Sequence, residues 1–403
     1  MRGRTAHFLR LERFVDNSLV DIELKFAPQQ PPWDDPDQVR RVRSDLASRP
    51  PLVRGDDVRT LRRQLARVAA GEALVVQAGD CAEDPNESSA GHVARKAALL
   101  DLLAGALRLV AAKPVIRVGR IAGQFTKPRS QSTEQVGGLE LPVYRGHMVN
   151  EPDPTPEGRR PDPLRLLTGY MAADDIMSHL GWNRTSGPDR IDPAMWTSHE
   201  ALLLDYEVPL LRNEEDGTLL ASTHWPWIGE RTRQPDGAHV ALLAGVTNPV
   251  ACKVGPRTTT DEVLQLCRLL DPRREAGRLT LIARMGADTV ADALPPLVEA
   301  VREAGHPVIW LTDPLHANTV TTPGGFKTRY VEAAEREVVA FHQAVVDHGG
   351  VAGGLHLEAT PDAVLECVAD ETEAARVGDA YESFCDPRLN AGQAISVVSA
   401  WHI

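Results

Sequence analysis

Short apolar runs alternate along this chain with longer stretches in which apolar residues recur every three or four positions. The short runs cover residues 73–78, 114–118, 195–198, 221–228, 250–254, 279–283, 307–311 and 354–357, and each reads as a buried strand. Helical spacing marks 92–109, 260–270, 291–304 and 331–348. Before the first strand, Val39, Val42 and Leu46, then Val58, Leu61, Leu65 and Val68, predict helix from Pro36 to about Gly71. Residues 28–36 read as a loop, and 151–163 as a long insert over one face.

Eight buried strands separated by helices predict parallel βα units, in a doubly wound sheet or a closed barrel. No G-x-G-x-x-G follows the first strand and no G-x-x-x-x-G-K-[ST] occurs, so a nucleotide-binding sheet would lack its phosphate loop. The count of eight favours a (β/α)8 TIM barrel. The expected organisation is an N-terminal extension over residues 1–70, irregular then helical, and a barrel domain over 71–403.

Composition narrows the function. A 42% apolar and 25% charged chain of 403 residues is ordinary for a soluble globular protein. Its net charge of −12 argues against nucleic acid or an anionic membrane as partner. The first residues scatter charge through any secretory core, and no apolar stretch approaches the roughly 20 residues that span a bilayer. Five widely spaced cysteines do not suggest a disulfide scaffold. A cytoplasmic location is expected.

On so acidic a chain, a local basic cluster focuses potential on a small anion. Such a cluster lies in Arg117-Val-Gly-Arg-Ile-Ala-Gly-Gln-Phe-Thr-Lys-Pro-Arg-Ser130, where the second apolar run ends. Other strand ends carry Gln77-Ala-Gly-Asp-Cys-Ala-Glu83, His224-Trp-Pro-Trp-Ile-Gly-Glu-Arg231, Cys252-Lys-Val-Gly-Pro256, Ala283-Arg-Met-Gly286, Thr312-Asp-Pro-Leu-His-Ala-Asn318 and His356-Leu-Glu358. In a barrel these ends meet on one rim, where active sites are built.

Two sets emerge. Arg120, Lys127, Arg129, Arg231, Lys253 and Arg284 suit a substrate bearing phosphate and carboxylate, or two phosphorylated substrates. The plainer alternative is that each pairs with a neighbouring carboxylate. Cys81, His316, Glu358 and Asp386 offer mixed S, N and O donors for a borderline divalent ion, although no C-x-x-C or H-E-x-x-H spacing accompanies them. Cys267 and Cys367 fall in helical patterns as core residues. Trp225 and Trp227 either floor a pocket or pack, and His199-Glu200 either supports the site or starts a helix.

These motifs resemble the class II 3-deoxy-D-arabino-heptulosonate 7-phosphate (DAHP) synthases, most closely the short form of phenazine biosynthesis. The resemblance runs from Gln29-Gln-Pro-Pro-Trp33 to Trp401. It rests on Gly79-Asp-Cys-Ala-Glu83, Val118-Gly-Arg-Ile-Ala-Gly-Gln124 with Lys127-Pro-Arg-Ser130, and Trp227-Ile-Gly-Glu-Arg-Thr-Arg-Gln234. Lys253-Val-Gly-Pro256, Arg284-Met-Gly286, Asp313-Pro-Leu-His316 and Cys385-Asp-Pro-Arg-Leu-Asn390 add to it.

The resemblance implies a (β/α)8 barrel that condenses phosphoenolpyruvate (PEP) with erythrose 4-phosphate, using a divalent metal, Mn²⁺ or Co²⁺. It implies Cys81, His316, Glu358 and Asp386 as metal ligands. Arg120, Trp227, Glu230, Arg231, Lys253 and Arg284 would form the PEP site, and Lys127, Pro128, Arg129 and Ser130 the erythrose 4-phosphate side. Lys127, Glu230 and Arg231 would be catalytic. A homodimer or larger homo-oligomer is expected. Departures from the family pattern are His147 in Tyr144-Arg-Gly-His147, Leu315 and Ala317 in Asp313-Pro-Leu-His-Ala-Asn318, and Ala78 before Gly79. They leave room for an amino-sugar substrate, giving 4-amino-4-deoxy-DAHP, or for a non-catalytic regulatory relative. Cys385 adjoins Asp386, so its thiol is expected near Cys81. Residues 1–25 match no recognised pattern.

Overall fold

The computed structural model describes residues 26–182 and 195–401; the expected irregular extension over 1–25 lies outside the described residues. Eight strands form one parallel sheet: β1 (Leu74–Gly79), β2 (Val115–Arg120), β3 (Trp196–Ser198), β4 (Trp227–Ile228), β5 (Val250–Val254), β6 (Leu279–Ala283), β7 (Ile309–Thr312) and β8 (Val351–Glu358). Their order is β3-β2-β1-β8-β7-β6-β5-β4. The ends of that order meet. Trp225 N donates to Thr197 O and Trp227 N to His199 O, both at 3.1 Å, and Glu200 bridges Trp227 in parallel. The sheet is a (β/α)8 barrel, as the strand count predicts.

The helix expected from Pro36 to Gly71 is two helices, Pro36–Ser48 and Gly55–Ala69. Asp35 caps the first, accepting from Asp37 N and Gln38 N, and Pro50-Pro51 forbids its continuation. The second turns Leu61, Leu65 and Val68 into a cluster with Val75, Val118, Ala251, Ile282 and Leu311, one residue from each of five strands. Residues of one strand parity share a face, so this helix plugs the barrel interior opposite the strand C-termini. Val42, Leu46 and Val58 join the larger core around the barrel helices.

Other differences have local causes. The 221–228 run pairs with its neighbour only over Trp227–Ile228, because Ala221 bonds Leu210 and Leu52 outside the sheet, while Trp225 reaches across the seam to Thr197. Residues 291–304 divide into Val290–Ala293 and Pro295–Glu303, where Pro295 and Pro296 remove backbone donors. Three hairpins lie outside the predicted elements: Thr133–Val136 with Leu139–Pro142, Leu211–Glu214 with Gly217–Leu220, and Thr319–Thr321 with Lys327–Arg329. Two of them, in the loops after β2 and β7, border the site.

Candidate active site

Arg120 ends β2 beneath the cleft, almost wholly buried. Its Nη1 bonds His356 Nε2 at 2.7 Å, its Nη2 donates to Glu358 Oε1 at 3.0 Å, and its Nε to Asp80 O at 3.2 Å. The guanidinium lies 5.3 Å over the Trp227 ring. A guanidinium only donates, so His356 Nε2 is the acceptor, and its Nδ1–H donates to Gln77 Oε1 at 2.6 Å. Gly79, at φ +152°, makes this crossing possible: a Cβ there would stand 2.6 Å from Arg120 O.

Glu358 closes β8 and is the charge centre. Its Oε1 faces Arg120, Lys127 Nζ at 3.1 Å and His316 Nε2 at 3.1 Å, while Oε2 accepts from Arg329 Nη1 at 2.8 Å. Burial would raise this carboxyl, but His316, Lys127, Arg329 and Arg120 outweigh it and hold it well below the usual range. Asp386 meets Lys127 at 2.8 Å and Lys327 at 2.9 Å. Burial is overcome there too, chiefly by Lys127.

His316 sits in the loop after β7. Its Nδ1 contacts Asp313 Oδ2 at 2.7 Å, and burial pushes the imidazole below its ordinary pKa despite that carboxylate. In its neutral form the ring donates from Nδ1 to that acceptor-only carboxylate and turns a bare Nε2 towards Glu358. Two acceptors 3.1 Å apart call for a cation between them. One donor atom each from His316, Glu358 and Asp386 lies within 4.8 Å of the others, and this set fits a borderline divalent ion.

Cys81 is not one of those three. Its thiol lies 3.4 Å from Ser383 Oγ, and a hydrogen bond with Cys385 brings it down to about 7. Lys127, Glu358 and Asp386 all act on it electrostatically, so it stands beside the cluster, with its sulfur engaged elsewhere.

Above this floor opens a cleft of ≈ 250 Å³. Every expected substrate residue lines it: Arg120, Lys127, Pro128, Arg129, Ser130, Trp227, Glu230, Arg231, Lys253 and Arg284. Lys253 Nζ reaches Asp313 Oδ2 at 2.8 Å, and Arg284 Nη2 donates to His316 O at 3.2 Å. Arg231 crosses to Ser130 Oγ at 2.6 Å. Arg129 is drawn towards Glu134 at 3.4 Å, while its backbone N donates to Gln29 Oε1. Glu230 is held by Arg233 at 3.1 Å. Arg117 pairs with Asp101 away from the cleft.

Glu200, Lys327 and Gln124 also line the cleft; the sequence leaves Glu200 open between supporting the site and starting a helix, carries Gln124 in a motif without a role, and gives no sign of Lys327. Glu200 is buried, and its Oε1 has no hydrogen-bond partner. Burial raises its carboxyl, against the pull of Lys253, Lys127, Arg231 and Arg120. It follows β3 by two residues, and that position is the sequence signal behind the site-supporting reading of His199-Glu200. Lys327 and Arg329 sit on a hairpin whose strands are too short to leave a periodic trace.

A family model described as the Class-II DAHP synthetase family matches residues 18–191 and 173–401. The chain belongs to this family. It is 61% identical over 378 residues to a Pseudomonas fluorescens protein named "Probable phospho-2-dehydro-3-deoxyheptonate aldolase", covering 93% of this chain and 94% of that one. A Streptomyces coelicolor phospho-2-dehydro-3-deoxyheptonate aldolase is 41% identical over 420 residues, covering 92% and 93% respectively. Among solved structures, the phospho-2-dehydro-3-deoxyheptonate aldolase of Francisella tularensis superposes with a TM-score of 0.51, covering 91% of this chain and 97% of that one. At 13% identity that likeness speaks for the barrel alone. Class II DAHP synthases depend on a metal, and the His316, Glu358 and Asp386 donors provide for one. Among the described residues, no helix is long and apolar enough to cross a membrane.

Proposed function

We propose that this protein, an enzyme of the class II DAHP synthase family, joins PEP to erythrose 4-phosphate and water to give DAHP and phosphate, the first step of the shikimate pathway. The observation that carries this reading is one cleft that sets cations from four strand ends against a His316, Glu358 and Asp386 cluster. Two anionic reactants meet there beside a cation-binding corner.

Lys253, Arg284 and Arg231 hold the PEP carboxylate and phosphate. Arg120, its donors engaged below, contributes charge to that side rather than free N–H groups. Lys127 to Ser130 hold the sugar phosphate, with Arg231 bridging the two halves through Ser130. Fixing both reactants in this register removes much of the entropic barrier to their meeting. A divalent ion on His316, Glu358 and Asp386, with Cys81 adjacent, would supply Lewis-acid polarisation of the aldehyde carbonyl.

A new bond forms between C3 of PEP and the aldehyde carbon, and Lys127 is placed to give the carbonyl oxygen its proton. Water then adds at C2. One of its protons passes to a carboxylate, and in the resulting hemiketal phosphate the C2 carbonyl forms as the bond from C2 to the phosphate oxygen breaks, the hydroxyl proton leaving with the phosphate. Glu230 is tied to Arg233, whereas Glu200 lines the cleft with no hydrogen-bond partner for its Oε1, so we take Glu200 as the acceptor.

The closeness of the motifs to the short, phenazine-type form supports a role in secondary metabolism. We further assign Mn²⁺ as the metal, a homodimer or larger homo-oligomer, a cytoplasmic location, and residues 1–70 as an N-terminal extension to the barrel domain. Purified protein with Mn²⁺ is expected to consume PEP and release phosphate with erythrose 4-phosphate. Turnover confined to an amino analogue would move the substrate, and no turnover with any aldose phosphate would leave a non-catalytic relative.

A further inference from the structure

Glu337 lies in the helix Val331–Asp347, outside every motif singled out above, and it is fully buried. Its Oε1 accepts from Met285 N at 3.0 Å and Gly286 N at 2.9 Å, the two amides that follow Arg284. Its Oε2 accepts from Asn318 Nδ2 at 2.6 Å, two residues beyond His316. Asn318 in turn accepts from Ala287 N at 3.0 Å and donates to Pro314 O at 2.8 Å. One carboxylate therefore takes three donors from two separate loops, one bearing Arg284 and the other His316.

We propose that Glu337 is a positioning residue that clamps the loops after β6 and β7 together, so that Arg284 and His316 keep a fixed separation. The clamp rests on the reading that Arg284 holds PEP and His316 holds the metal. A core carboxylate needed only for packing would be matched more cheaply by an apolar side chain. This one instead caps backbone amides at the site's edge, and Arg284 Nη2 also donates to His316 O at 3.2 Å, so the loops are tied at both levels. Partners of this kind typically change metal affinity or activity about 10–100-fold when removed.

The polarity of each bond sets the test. Glu337→Gln keeps one oxygen for the two amides but turns an amino group onto the Asn318 amino group. Asn318 cannot flip, because its oxygen serves Ala287 N and its nitrogen serves Pro314 O. Asn318→Asp alone sets two carboxylates face to face. The double variant Asn318→Asp/Glu337→Gln restores a donor–acceptor match at the cost of the Pro314 bond, so its recovery is partial.

Each protein is titrated with Mn²⁺ by electron paramagnetic resonance, and KM for PEP and kcat are measured with erythrose 4-phosphate. Each single variant is expected to weaken Mn²⁺ binding and raise KM for PEP by about tenfold or more, with kcat falling less. The double variant is expected to recover part of both. Unchanged Mn²⁺ affinity and KM in Glu337→Gln overturn the clamp, as does a double variant no better than the singles. Should Glu337→Gln fail to fold, the double variant decides by the same two numbers. If the native protein consumes no PEP, the functional reading fails, while the Mn²⁺ titrations still judge the clamp.

Discussion

Asp313 accepts from His316 Nδ1 at 2.7 Å and from Lys253 Nζ at 2.8 Å, so one buried carboxylate orients a proposed metal ligand and a proposed substrate cation. Burial would raise Asp313, but His316 and Lys253 hold it well below the usual carboxylate range. Burial meanwhile lowers Lys253, with Asp313 the main opposition. Asp313→Asn leaves a buried ammonium uncompensated, which should cost about 3–5 kcal/mol of stability. It should also raise KM for PEP by about tenfold or more. Equilibrium unfolding and PEP saturation curves check both; a variant matching the native protein in each would refute this role.

Glu200→Gln keeps the shape of the carboxyl and removes its proton acceptor. It should lower kcat by about 10²–10⁴-fold with KM nearly unchanged. Gly229→Ala should act similarly, because a Cβ there would stand 2.0 Å from Glu200 Oε1. If Glu200→Gln retains full kcat while Glu230→Gln loses it, the proton passes to Glu230 instead.

The bond from Arg231 to Ser130 Oγ, at 2.6 Å, separates the two substrate sides experimentally. Ser130→Ala should raise KM for erythrose 4-phosphate by about 10–100-fold, the worth of a bond to a charged group, and leave KM for PEP alone. Arg231→Ala should raise both. Initial-rate kinetics in both substrates make the distinction, and equal effects from the two variants would erase it.

His224 gives a pH signature remote from catalysis. Its Nδ1 meets Thr197 Oγ1 at 2.8 Å, and burial pushes the imidazole down to about 3. As pH falls below about 6.5, an unfolded histidine takes up a proton while the native one does not. His224 therefore costs the native state about 1.4 kcal/mol per pH unit below 6.5, until pH nears 3. His224→Asn keeps an acceptor for Thr197 and does not titrate. Its stability deficit at pH 7 should narrow as pH falls from 6.5 to 4 in urea unfolding series; a constant deficit would contradict this.

The barrel was legible because a strand buried on both faces writes a mostly apolar run, interrupted only by Lys253 in 250–254 and Thr280 in 279–283. The cations were legible because they sit in or soon after such runs: Lys253 within 250–254, Arg284 directly after 279–283, and Arg120, Lys127 and Arg129 beyond 114–118. What escaped depends on partners distant in sequence. Arg329 reaches Glu358 from a three-residue strand, and Glu337 reads as one more polar position on an amphipathic helix. Cys81 illustrates the converse: its motif places it at the right strand end and its nearness to Cys385 is expected from Asp386, but only three dimensions show the contact with Ser383.

The barrel's seam has its own implication for substrate choice. Trp227, Glu230 and Arg231 extend from β4, a strand of two residues joined to its neighbour across the seam by a few backbone hydrogen bonds. Each such bond is worth about 1 kcal/mol net. The opposite wall springs from β1, β2 and β8, which are six, six and eight residues long. A vice with one fixed and one sprung jaw takes up differences in workpiece on the sprung side. Evolution towards a longer or aminated aldose would accordingly begin with changes around β4, leaving the Arg120, Glu358 and His316 floor as it is.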